Sequence, residues 1–164
     1  MFTIDEILEL AIQLEKNGEA VYRDALSRVD DSDLAFALGW LADDEARHIE
    51  TFSRMKAGLT ADERRRRPAS SDQAFLQQMV AGQTFSLGEA DIPRLETVAS
   101  LLELALEFER DTVVFYEMLG TFVQDPGAQG VLRRVLQEEE HHVKVLETYL
   151  KEGRVPQREE NDST

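Results

Sequence analysis

The second half of this 164-residue chain repeats the first. Shifted by 94 positions, residues 3–54 align with 97–148 without a gap. Thr3 meets Thr97, and the run Leu8, Glu9, Leu10, Ala11 meets Leu102, Glu103, Leu104, Ala105. Glu15 meets Glu109, Tyr22 meets Tyr116, Asp31 meets Asp125, Leu38 meets Leu132, Glu45 meets Glu139, and His48 meets His142. Helix-rich chains match by chance at Leu, Ala and Glu. Coincident Tyr, His and Asp in one ungapped register are far harder to obtain that way. The fold therefore has to place two copies of one unit around a shared core.

The unit reads as a helical hairpin. Helical periodicity runs over 3–29, 32–57, 97–123 and 126–152, and alternation at period two is never sustained. Thr3 with Glu6 reads as a capping box. Asp125 followed by Pro126 reads as N-cap and first helical position, and Gly58 and Gly153 stand where helices stop. These limits predict one all-α domain over 1–153: hairpin 3–57, a polar crossover 58–96, and hairpin 97–152, forming a four-helix bundle with a long crossover connection. Residues 72–81, "DQAFLQQMVA", suit a short helix within the crossover. The run Arg64 to Arg67 reads as a solvated loop rather than an anion site. Residues 154–164 read as a flexible C-terminal tail.

Read at spacings of three and four, each helix presents one inward stripe. The stripes pass through Leu8, Ala11, Glu15, Gly18 and Tyr22; Leu38, Leu41, Glu45, His48 and Phe52; Leu102, Ala105, Glu109, Thr112 and Tyr116; and Leu132, Val135, Glu139, His142 and Leu146. All four are apolar at both ends and ionisable in the middle. The run "EEEHH" could pair Glu138 with His141 or Glu139 with His142. Only the second pair lies on the apolar stripe, so Glu138 and His141 are assigned to the outer face.

Four carboxylates in a dry core cannot stay ionised and unpaired, because desolvation alone costs several kcal/mol per ion. They can be protonated, pair with buried Arg or Lys, or bind cations. No inward stripe carries Arg or Lys. Two divalent ions would balance four carboxylates, with one neutral imidazole for each ion. Glu-x-x-His places both side chains on one helical face. The expected ligands are Glu15, Glu45, His48, Glu109, Glu139 and His142. Oxygen with imidazole suits iron or manganese, and zinc differs in geometry. Tyr22 and Tyr116 lie two turns beyond Glu15 and Glu109, and serve equally well as packing or as hydrogen-bond partners of ligating carboxylates. Glu19 is an extra candidate, but its repeat mate is Val113, which favours a rim position.

Composition narrows the chemistry. There is no cysteine, which removes disulfides, thiolate catalysis and iron–sulfur clusters, and fits a cytoplasmic protein. A net charge of −15 makes nucleic acid and anionic membranes poor partners. The start "MFTIDEILEL" lacks the pattern of a signal peptide, and no segment suits a membrane span.

The spacing from Glu15 to Tyr22, "DDEARH", the spacing from Glu109 to Tyr116 and "EEEHH" together resemble the rubrerythrin branch of the ferritin-like di-iron carboxylate proteins, over about two-thirds of the chain. The resemblance implies a ferritin-like bundle, two iron ions on the six residues named above, chemistry with peroxide or dioxygen, and a homodimer. Two departures stand out. Rubrerythrins carry a cysteine-rich rubredoxin domain, so here the electron donor has to be a separate molecule. They also carry a further glutamate one turn after the third-helix ligand, where this chain has Thr112. The function expected is a metal-binding oxidoreductase reducing peroxide or dioxygen. The alternatives are a ferroxidase or iron-storage role, or a non-catalytic metal-binding protein.

Overall fold

The computed structural model describes residues 3–61 and 97–153. They form four helices: α1 (Ile4–Leu26), α2 (Ser32–Ala57), α3 (Val98–Gly120) and α4 (Pro126–Glu152). The rest of the crossover, with the expected 72–81 helix and the Arg64–Arg67 run, and the tail from 154 lie outside the described residues. No described helix is long and apolar enough to cross a membrane.

The helices start where side chains can receive the free backbone N–H groups. Glu6 N donates to Thr3 Oγ1 at 3.2 Å and Thr3 N donates to Glu6 Oε2 at 2.9 Å, which completes the capping box of α1. Thr97 Oγ1 accepts from Ser100 N at 3.1 Å at the start of α3. Asp31 Oδ1 accepts from Leu34 N, and Asp125 Oδ1 from Ala128 N, both at 2.9 Å. Each cap contributes about 1 kcal/mol. The repeat thus extends to its capping chemistry. Gly153 ends α4 in the left-handed region at φ 62°, where glycine is favoured, whereas Gly58 ends α2 with ordinary right-handed geometry.

Two helices stop three residues earlier than the periodicity predicts, α1 at Leu26 rather than 29 and α3 at Gly120 rather than 123. The next helix sets the limit. Asp31 and Asp125 need extended backbone to cap α2 and α4, at ψ 126° and 124°. Pro126 also disfavours helical geometry at the residue before it. Val123 nevertheless remains buried.

The apolar core falls into two clusters. One unites Ile4, Leu8 and Ala11 of α1 with Phe52 of α2, Tyr116 and Leu119 of α3, and Leu132 and Val135 of α4. The other unites Tyr22 and Ala25, Leu34 and Leu38, Leu101 and Leu102, and Leu146. Helices within each hairpin are therefore antiparallel, while α1 runs parallel to α4, and α2 to α3. The end of α2 and the start of α3 lie at opposite ends of the bundle. That separation is about 39 Å for a helix the size of α2, more than a short turn could bridge. Burying each large aliphatic side chain contributes about 1.5–3 kcal/mol. The two clusters flank a middle layer built from ionisable groups.

Candidate metal centre

That layer draws on all four helices. Glu15, Glu45, Glu109 and Glu139 are each 4% exposed or less, in line with the inward stripes. His142 joins them, its side chain 2% exposed, and His48 retains 13%. Glu138 and His141 are exposed, as the choice of register requires. Glu19 sits on the rim and pairs with Arg23 at 3.0 Å.

The six expected residues come together. Ligand atoms of Glu15, Glu45 and His48 lie within 4.8 Å of one another. His142 Nδ1 stands 3.2 Å from Glu109 Oε1, and the two imidazole rings are 5.1 Å apart. Glu139 reaches both Glu15 and Glu109. A seventh residue joins them. Asp44, buried on α2, places Oδ2 2.5 Å from His142 Nε2, and also contacts Arg47. The sequence stripes missed Asp44 because it sits one residue off the inward line. The signal that could have found it is the doubled acid in "DDEARH" beside the expected ligand Glu45.

Charge and direction are both unsatisfied in this cluster. Among the described residues no Lys or Arg is buried. The three close N···O approaches, including His48 Nδ1 to Glu15 Oε2 at 3.3 Å, are not aligned as hydrogen bonds. Glu45 Oε1, Glu109 Oε1, Glu139 Oε1, His48 Nδ1 and both ring nitrogens of His142 have no hydrogen-bond partner. Buried polar atoms are normally paired. Lone pairs converging from several helices without donors between them are what a cation needs, and hard carboxylate oxygens with imidazole suit first-row divalent ions. The donor set fits divalent ions of that kind.

Without cations the layer stores protons. Burial, reinforced by the neighbouring carboxylates, holds Glu15, Glu45 and Glu139 well above the ordinary carboxyl range. Burial pushes His142 down, but the charges of Glu109, Glu45 and Glu15 push it up further, to about 9. Burial and the adjacent His142 take His48 down to about 4. Cation entry must displace these protons.

Space around the carboxylates is also built in. A Cβ on Gly18 would meet Glu45 Oε1 at 3.1 Å and its Cδ at 3.2 Å. A glycine inside a helix costs about 1 kcal/mol relative to alanine, and here it leaves room for a carboxylate. Its repeat mate Thr112 is buried and donates Oγ1 to the Phe108 carbonyl at 3.0 Å, so that hydroxyl is engaged by its own helix. Tyr22 and Tyr116 are fully buried, and neither hydroxyl has a hydrogen-bond partner. Burial raises both, and the carboxylate next in effect is Glu45 for Tyr22 and Glu139 for Tyr116.

The family model described as rubrerythrin matches residues 6–150. The chain belongs to the rubrerythrin family. A crystal structure from Thermotoga maritima, of a protein assigned to the ferritin-like diiron-carboxylate class, is 23% identical. The match covers 93% of this chain and 97% of that one with a TM-score of 0.52, which shows the ferritin-like four-helix fold. No curated protein matches the chain significantly. As a rubrerythrin-family chain it has the inward Glu and Glu-x-x-His pattern in both hairpins, and Thr112 where the resemblance leads one to expect another glutamate.

Proposed function

We propose that the chain binds two iron ions in this layer and works as an oxidoreductase, reducing peroxide or dioxygen with electrons from a separate donor. One observation carries the reading: four buried carboxylates and two imidazoles converge with no buried Lys or Arg among the described residues to balance them. Family membership supports it. Ions held by these residues would supply two electrons at one place, enough with two protons to reduce peroxide to two waters or dioxygen to peroxide.

The chain's own groups hold and time that chemistry. Glu15, Glu45, Glu109 and Glu139 supply the negative charge that retains the ions, and His48 and His142 supply one neutral donor from each hairpin. The apolar clusters on either side keep bulk water from the layer, which strengthens every charge interaction within it. Tyr22 and Tyr116 hold protons at buried hydroxyls beside Glu45 and Glu139. His48, on α2, keeps more exposure than the buried glutamates. With no cysteine in the chain, reducing equivalents come from another molecule.

Anaerobic loading with ferrous iron followed by stopped-flow mixing with peroxide tests the reading. It predicts a ferric absorption band that forms faster than for ferrous iron in buffer. Formation no faster than in buffer would contradict it.

A further inference from the structure

Asp44 has no counterpart among the six expected ligands, yet it is only 8% exposed. Aspartate is almost never buried without a partner. Its carboxylate lies between two: Arg47 on the same helix, and His142 across the bundle, with Oδ2 2.5 Å from Nε2. We propose that Asp44 is a positioning residue that turns His142 to bind its ion through Nδ1, making the two ion positions unequal in strength. The proposal rests on the two-ion reading above.

The ring itself supplies the argument. A neutral imidazole offers one lone pair and carries one N–H. Nδ1 of His142 faces the cluster, 3.2 Å from Glu109 Oε1, so a cation among the carboxylates takes that nitrogen. The proton is then left on Nε2, beside Asp44. A carboxylate accepting that N–H fixes the tautomer and the ring plane and strengthens the other nitrogen as a donor. The present approach is short but off the N–H axis, and a turn of the ring toward a cation brings it into line. Trp40, one turn before Asp44 on α2, meets the ring edge-on at 6.3 Å and limits how far it can turn.

The repeat provides an internal control. Ninety-four positions on from Asp44 stands Glu138, which is exposed. Its charge reaches His48, but the two form no ion pair among the described residues. Glu138 is therefore not to His48 what Asp44 is to His142; an oxygen of Asp44 also lies within 4.8 Å of a His48 nitrogen, but its short approach of 2.5 Å is to His142.

The test titrates metal-free, full-length protein with cobalt(II), followed by visible absorption and calorimetry. Wild type should take up two ions per chain in two distinguishable steps. Asp44→Ala should weaken one step about 10–100-fold, the usual loss for such outer partners, and leave the other within about twofold. Glu138→Ala should leave both steps unchanged. Proton NMR of the cobalt-loaded protein adds a signature that a purely structural role would not move. Of the two strongly shifted imidazole N–H signals, one should exchange slowly with water in wild type and quickly in Asp44→Ala. If the alanine variant fails to fold, Asp44→Asn decides, since it keeps the shape and loses the charge; the same single step should weaken about tenfold. Two ions bound with both steps weakened equally, or neither, would overturn the positioning role while leaving the two-ion reading intact. A wild type that binds no cobalt would overturn both.

Discussion

The two hairpins carry the same ligand pattern, yet their histidines sit in different surroundings. His142 is sealed, faces Glu109 at one nitrogen and Asp44 at the other, and is held up to about 9. His48 keeps 13% exposure, faces Glu15 at 3.3 Å, and is pushed down to about 4. The residue 94 positions from Gly18, which makes room for Glu45, is Thr112. A repeated sequence thus fixes which groups meet, and the residues between the repeated positions decide how each one behaves.

The comparison breaks most visibly if the ligands are removed one hairpin at a time. Glu139→Ala or His142→Ala should lower bound metal from two ions per chain to about one or fewer, measured by elemental analysis after gel filtration. His141→Ala, on the exposed side of the same helix, should keep the wild-type content. Equal loss in the two histidine variants would show that the assignment of faces is wrong.

The next largest effect concerns protons. In the metal-free protein, Glu15, Glu45 and Glu139 are raised, and so is His142, to about 9. These groups bind more protons folded than unfolded, so the stability they contribute is present at acidic pH and is lost as pH rises through their folded values. His48, lowered to about 4, acts oppositely: its contribution is present above about 6.5 and is lost as pH falls toward 4. The melting temperature of the metal-free protein should therefore fall between pH 7 and 9, by about 2–4 °C for each kcal/mol lost. Metal affinity should rise over the same range, because binding expels protons. A metal-free protein that grows more stable toward pH 9 would contradict the proton-storing layer.

Gly18→Ala separates stability from binding. Alanine favours the helix by up to about 1 kcal/mol, but its Cβ presses on Glu45 at 3.1 Å, so that carboxylate must shift by a few tenths of an ångström. We expect a metal-free melting temperature unchanged or slightly higher, and metal affinity reduced several-fold, read by calorimetry. The smallest effect belongs to Glu19→Gln. It should leave metal content unchanged and cost under about 1 kcal/mol, since Glu19 is a rim residue whose ion pair with Arg23 is exposed.

Much of this was legible in the residues. The inward stripes are periodic and the caps are local chemistry, so Thr3, Asp31, Asp125 and the inward Glu15, Glu45, Glu109, Glu139 and His142 follow from the sequence alone. The ends of α1 and α3 do not, because they depend on the extended backbone that the following caps demand. Asp44 was hidden for a different reason. Its burial comes from His142, about a hundred residues away, and from a position just off the stripe, so helical periodicity carries no trace of it. The hydroxyls of Tyr22 and Tyr116 were expected to pack or to bond with equal weight. In the structure both hydroxyls feel the charge of the buried carboxylates and neither makes a hydrogen bond.

The account stands most directly on an anaerobic ferrous iron titration of the metal-free protein, with heat and released protons recorded together. It predicts saturation at two ions per chain, protons expelled on binding, and both lost when Glu45 and Glu139 are replaced by alanine together. Uptake that never saturates, or that persists unchanged without those two carboxylates, would contradict it.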